Sequence, residues 1–245
     1  MTRPFLFAAI VALFPLTALA ESARVAVAAN FAPTATRLAE DYAKASGDRV
    51  EIISGATGKL YAQVKSGAPF DAFLSADQKT VDKLIGDGLA RGDSRFTYAH
   101  GVLALWTIRS DADLSDPRAA LLAASHVAIA NPALAPYGQA AAEVIAKLGL
   151  PDDLGGRLVM GENIGQTQTL VASGAADLGF VAASAVAGKS GGTVWIVPED
   201  MHAPLLQDAV LLGVGKDNSA AKGYLTYLRS DAARAVIGAS GYGVK

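Results

Sequence analysis

Apolar and polar positions fall into blocks along this chain, and the period switches from block to block. Val25-Ala26-Val27-Ala28-Ala29 is an unbroken apolar run ending at Asn30, the pattern of a strand covered on both faces. Directly after it, Ala35, Leu38, Ala39 and Tyr42 recur at i, i+3, i+4 and i+7, which predicts an amphipathic helix. Pro33 suits a first helical turn and Gly47 closes the helix. The same construction follows at once. Val50-Glu51-Ile52-Ile53 predicts a strand, Ser54-Gly55-Ala56-Thr57-Gly58 a turn rich in donors, and Leu60, Tyr61 and Val64 the face of a short helix. Residues 70–76 predict a third strand, Asp77 an N-cap, and Val81, Leu84 and Ile85 the inward face of the next helix.

Further along, residues 102–106 and 209–213 are continuous apolar strands. Between them the pattern predicts strands at 127–130, 158–160, 178–181 and 194–197, and helices at 139–148 and 167–173. The tail from Ser219 to about Gly238 is helical. Alternating strands and helices predict an α/β protein built on parallel sheet with helices on its faces. Two lobes are expected, with the chain crossing near 98–102 and again near 204–209. Residues 21–100 and 207–245 then form the first lobe and 101–206 the second. Ligands of open α/β sheets bind outside the carboxyl ends of the strands, so both lobes should turn those ends toward a shared cleft.

The first twenty residues are a separate object. Arg3 gives a positive start, residues 5–16 an apolar core interrupted by Pro15, and Ala18-Leu19-Ala20 a small-residue cleavage signal. A cleaved export signal is expected, with the mature chain starting near Glu21; a buried N-terminal strand or helix is the alternative. No later segment approaches the roughly 20 apolar residues of a membrane span. Without Arg3, 20 Lys and Arg stand against 23 Asp and Glu, a net charge of −3, and no basic run resembles a nucleic-acid footprint. Cysteine is absent, so no disulfide supports the exported chain and no cysteine at the cleavage site can carry lipid. A soluble, monomeric, periplasmic protein is expected.

Catalytic motifs fare poorly. Gly55-Ala56-Thr57-Gly58-Lys59-Leu60 lacks the first glycine of a phosphate-binding P-loop, having Ile53 there, and carries Leu60 after the lysine. Gly188-Lys189-Ser190-Gly191-Gly192 matches a nucleophile elbow in letters, but it follows a helical segment and precedes a strand, the reverse of what that elbow needs. A secreted hydrolase using Ser190 is kept as the alternative from another class. His100, His126 and His202 are too dispersed for a structural zinc site. The two strand-to-helix junctions are better suited to chemistry. Each aims unpaired backbone N–H groups, the positive end of a helix dipole and a short polar side chain, Asn30 or Thr57, at one spot. The alternative is that both side chains only cap their own helices. Asn131-Pro132-Ala133-Leu134-Ala135-Pro136-Tyr137-Gly138 and Gly161-Glu162-Asn163-Ile164-Gly165 are two further helix-opening loops. Tyr137 on its own could equally be a packing residue.

These residues carry a resemblance. Ala28-Ala29-Asn30-Phe31, Ser54 through Leu60, Gly67-Ala68-Pro69-Phe70-Asp71-Ala72-Phe73-Leu74-Ser75-Ala76-Asp77, the 131–138 loop and Asp177-Leu178-Gly179-Phe180-Val181 together resemble the periplasmic molybdate-binding proteins, the substrate-binding components of molybdate ABC importers. The resemblance implies a two-lobed class II periplasmic binding fold with mixed sheets and an interlobe ligand cleft. It implies capture of molybdate, and of near-isosteric tungstate, for an ABC permease, with no enzymatic activity, no cofactor, no resident metal and no nucleic-acid partner. Another tetrahedral oxyanion such as sulfate is the alternative ligand. By the same resemblance Asn30, Thr57, Tyr137 and Ile164 are the oxyanion-binding positions. Ala182 lines the cleft where many members carry a binding tyrosine, and Tyr137 is expected to supply that phenol from the opposite loop.

Overall fold

The computed structural model describes residues 20–188 and 191–244. Residues 1–19 of the expected export signal, which spans 1–20, and Ser190 therefore lie outside the described residues. The chain runs β1 (Ser22–Ala28), α1 (Ala32–Ser46), β2 (Arg49–Gly55), α2 (Thr57–Lys65), β3 (Ala72–Leu74), α3 (Gln78–Gly86), β4 (Phe96–Gly101) and β5 (Leu103–Thr107). It continues through α4 (Pro117–Ala123), β6 (Val127–Ala130), α5 (Pro136–Lys147), β7 (Leu158–Gly161), α6 (Ile164–Ala172), β8 (Leu178–Ala182) and β9 (Thr193–Ile196). The last elements are β10 (Leu205–Leu211), α7 (Ser219–Tyr227) and α8 (Asp231–Ala239).

The strands form two five-stranded sheets, in the orders β2-β1-β3-β10-β4 and β7-β6-β8-β5-β9. Where a helix separates successive strands the pairing is parallel, as the alternation predicts: β1 with β2 and β3, and β6 with β7 and β8. The sheets are nevertheless mixed. β10 is antiparallel to β3 and β4, and β5 to β8 and β9. β5 and β10 are the strands reached by passing directly between lobes, without a helical crossover in their own sheet, so nothing forces them into the parallel direction.

The first crossing is a single residue, Val102, between β4 and β5. The second runs over 197–204, because Leu205 already pairs with Gly101 in the first sheet. The expected boundary at 206/207 thus falls inside β10, whose first half was hidden in the sequence by polar Gln207 and Asp208. The register with β4 shifts between those two residues, which pair with Ala99 and Thr97 and leave Tyr98 as the extra residue of the ladder; as neighbours in a strand they point to opposite faces. The third strand is shorter than expected, β4 and α4 lack a strong periodic signal, and Ser230 breaks the tail into two helices by capping α8 through the Ala233 N–H at 3.2 Å.

Each sheet is covered on both faces, which is why its inner strands read as unbroken apolar runs. Val25 and Val27 of β1 pack with Leu38, Tyr224 and Ile237 of α1, α7 and α8, whereas Ala26 faces Leu60 and Leu84 of α2 and α3. In the second sheet Leu105 and Ile129 pack on Val144 of α5, and Ala104 and Ala128 on Val171 of α6. Each fully buried Val or Leu contributes about 1.5–3 kcal/mol. Ala28 and Ala76 of the first lobe belong to the same buried cluster as Ala130, Ile164 and Ala182 of the second. The strand ends of the two lobes therefore abut, and the cleft is closed. Among the described residues no helix is long and apolar enough to cross a membrane.

Candidate functional site

The two junctions do not use their polar side chains as caps. Phe31 is the N-cap of α1 and Ala56 that of α2, and neither helix has a side-chain cap. Asp77, by contrast, caps α3 by accepting the Thr80 N–H at 2.8 Å, and Asn163 caps α6 by accepting from Gln166 at 3.0 Å. What the four turns share is an unspent backbone donor. The N–H groups of Asn30, Thr57, Tyr137 and Ile164 have no backbone acceptor among the described residues. Thr57, Tyr137 and Ile164 lie in the first turns of α2, α5 and α6, where helical geometry leaves N–H groups unpaired and the dipole is positive.

Contacts between the lobes bring these turns together pairwise. Gly58 N–H donates to the Leu134 carbonyl at 2.8 Å, joining the second turn to the third. Lys59 Nζ meets Glu162 Oε1 at 2.6 Å, joining the second to the fourth at the half-exposed rim. A Cβ on Gly165 would lie 3.9 Å from that of Ala29, so the fourth turn sits over the first. Asn30 Nδ2 donates to Gln207 Oε1 at 2.8 Å, and Gln207 Nε2 donates to Tyr137 Oη at 3.4 Å, joining the first to the third. Asn30, Thr57, Tyr137, Ile164 and Ala182 are all buried around this point, Asn30 the most exposed of them at 7%. Thr57 Oγ1 accepts from the Ala76 N–H at 3.4 Å, which leaves its hydroxyl hydrogen to donate. Ala182 ends β8 opposite Leu103 and offers no polar side-chain atom. A cavity of about 230 Å³ lies beside this point, with Thr57, Gly58 and the charged side chains of Asp77, Lys79 and Lys83 on one side and Pro132, Leu134 and Pro136 on the other; of the candidate residues only Thr57 lines it.

Four residues that the sequence did not single out complete the surroundings. Tyr98 Oη lies 3.0 Å from Gln207 Oε1. Tyr242 Oη donates to the Asn30 carbonyl at 2.7 Å and accepts from Ser184 Oγ at 2.9 Å, bridging the lobes from the C-terminal tail. A glutamine inside an apolar strand was the available signal for Gln207; nothing local marked Tyr98, Ser184 or Tyr242. Burial pushes the Tyr98 and Tyr137 phenols well above the usual tyrosine range, and raises that of Tyr242 to about 12. All three are therefore protonated donors at neutral pH.

The electrostatics of the site follow from what is missing. Asp208 is the one side chain charged at neutral pH among the buried residues described, and it faces away, held by Arg95 Nε at 2.6 Å and by the Thr97 hydroxyl at 2.6 Å. No group of three His, Cys, Asp or Glu that could hold a metal ion occurs among the described residues. The interlobe point is thus lined by neutral N–H and O–H donors without a buried countercharge. Such a lining suits an anion whose oxygens each need donors once water is removed.

Comparison with known proteins agrees with this chemistry. The family model described as bacterial extracellular solute-binding protein matches residues 23–243. The molybdate-binding protein ModA of Azotobacter vinelandii is 45% identical over 239 residues, covering 95% of this chain and 94% of that protein. The molybdate-binding protein ModA of Rhodobacter capsulatus is 43% identical over 229 residues, covering 93% and 90%. The solved periplasmic molybdate-binding protein of Azotobacter vinelandii superposes with a TM-score of 0.86 at 38% identity, over 91% of this chain and 99% of that one.

Proposed function

The chain belongs to the bacterial extracellular solute-binding protein family, and on that premise we propose that it captures molybdate in the periplasm and delivers it to the permease of an ABC importer. The observation that carries this reading is the meeting of four helix-opening turns, two from each lobe, with their backbone donors unspent and no buried cation among them. Similarity to molybdate-binding proteins over nearly the whole chain supports the choice of ligand. The protein is a carrier and not an enzyme. Tungstate, near-isosteric with molybdate, is proposed as a second ligand. The working form is proposed to be a monomer that begins near Glu21 after cleavage of its export signal.

In this reading Asn30 and Ile164 bind through backbone N–H groups, Thr57 through its N–H and hydroxyl, and Tyr137 through its phenol. Small Ala182 leaves room for that phenol. A desolvated dianion is stable in the closed cleft only when its oxygens are matched by donors. A cage set for long metal–oxygen bonds leaves the shorter oxygens of sulfate underbonded, and that mismatch is the basis of selectivity. Lobe closure around the ligand is the shape the permease reads.

Calorimetric titration of the mature protein with molybdate, tungstate, sulfate and phosphate tests the proposal. One-to-one binding of molybdate and tungstate, with no heat from sulfate or phosphate at equal concentration, is the expected result. Binding of sulfate alone would reassign the ligand, and heat from none of the four would remove the oxyanion reading.

A further inference from the structure

Gln207 lies on β10 with no exposed surface, and both ends of its amide are used. Oε1 accepts from Asn30 Nδ2 at 2.8 Å and lies 3.0 Å from Tyr98 Oη, whose single hydrogen is shared between it and the Ser75 carbonyl, also at 3.0 Å; Nε2 faces Tyr137 Oη at 3.4 Å. The direction of these bonds is fixed from the tail. The single hydrogen of Tyr242 Oη goes to the Asn30 carbonyl at 2.7 Å, so toward the Asn30 amide, 3.4 Å away, that oxygen can only accept. Nδ2 of Asn30 must therefore lie on that side. It then needs an acceptor across from it, which places Gln207 Oε1 there and turns Nε2 to Tyr137. Because an amide nitrogen only donates, Tyr137 Oη accepts from Gln207 and keeps its own hydrogen for another partner.

We propose that Gln207 is a positioning residue of the oxyanion site, which makes Tyr137 a hydrogen-bond donor toward the bound anion and so keeps the cage free of acceptors. The inference rests on the function proposed above. A glutamine does this without charge, whereas a carboxylate at the same place would reverse the polarity. Protonated, a glutamic acid keeps one accepting oxygen for Asn30 and one O–H for Tyr137. Ionised, it accepts on both sides, draws the Tyr137 hydrogen away from the ligand and sets a negative charge beside it. The titratable groups facing position 207 are the phenols of Tyr98 from β4 and Tyr137 from α5, with that of Tyr242 from the tail one residue further off, beyond Asn30. Asp208, next in the strand, is engaged on the opposite face by Arg95, Thr97 and Gln78.

The test is calorimetric molybdate affinity from about pH 5 to about pH 9 for the wild type, Gln207→Glu and Gln207→Met. The wild type should be nearly flat. Q207E should bind close to wild type at the acid end and at least about tenfold more weakly at the alkaline end, whereas Q207M should be weakened about tenfold throughout. Recovery of Q207E on acidification separates the effect from misfolding, since the same protein regains its affinity. A Q207E profile parallel to wild type, or Q207M binding as tightly as wild type, would overturn the positioning role. Failure of the wild type itself to bind molybdate would instead sink the proposed function.

Discussion

The hydroxyl of Tyr137 occupies the space that a side chain on Gly101 would need. Gly101 ends β4 just before the chain crosses to the second lobe, and a Cβ there would also lie 2.8 Å from Gln207 Nε2. The close approach, and no special backbone angle, is what requires glycine at this position. Gly101→Ala should push the phenol out of place and weaken molybdate binding by about 1–3 kcal/mol, the cost of losing its hydrogen bond to a charged ligand. Titration calorimetry on the folded variant measures it, and an unchanged affinity would detach Tyr137 from the site.

Donor groups in the cage should count individually. Thr57→Ala and Tyr137→Phe each remove one hydroxyl that an anion oxygen would otherwise use, at a cost of about 1–3 kcal/mol. Dissociation constants from the same titrations report the loss. Unchanged affinity in both variants would take these residues out of the site.

Alkaline stability should carry the signature of the buried phenols. The folded protein holds the Tyr242 proton up to about pH 12, against about 10 for a free tyrosine. Between those values the unfolded chain binds fewer protons than the native one, so stability is complete below the unfolded value and falls as pH rises through the window. Each such tyrosine contributes a slope of up to about 1.4 kcal/mol per pH unit. Urea unfolding of wild type and Tyr242→Phe across this range should show a shallower decline in the variant.

Asp208 makes the complementary case on the other face of β10. Its carboxylate is 1% exposed and is held by Arg95, whose guanidinium the contact keeps protonated above its ordinary range. Arg95→Ala leaves that buried carboxylate without its cation and should destabilise the fold by about 3 kcal/mol, with the Thr97 and Gln78 hydrogen bonds limiting the loss. Denaturant midpoints at neutral pH measure it, and a change below about 1 kcal/mol would mean that those bonds suffice.

Much of this architecture was legible because its strands are covered on both faces and its helices on one. Val25 through Ala28 and Leu103 through Trp106 announced themselves as apolar runs, and Leu38 and Tyr42 as a helical stripe. The early half of β10 was not legible, since Gln207 and Asp208 interrupt the run at the bulge. Asn30 and Thr57 were visible as short polar residues at helix openings, but sequence alone left capping open, and only the positions of Phe31 and Ala56 resolve it. The partners of Asn30 could not be found locally. Gln207 and Tyr242 reach it from 177 and 212 residues away, through a tertiary arrangement that no window of sequence contains.

The central claim is that neutral donors from both lobes hold the anion without a countercharge, and anomalous diffraction at the molybdenum edge from crystals of the molybdate complex tests it most directly. The account predicts one strong peak enclosed by Asn30, Thr57, Tyr137 and Ile164, with no lysine or arginine side chain touching the anion. A principal peak elsewhere, or one in contact with a cationic side chain, would contradict it.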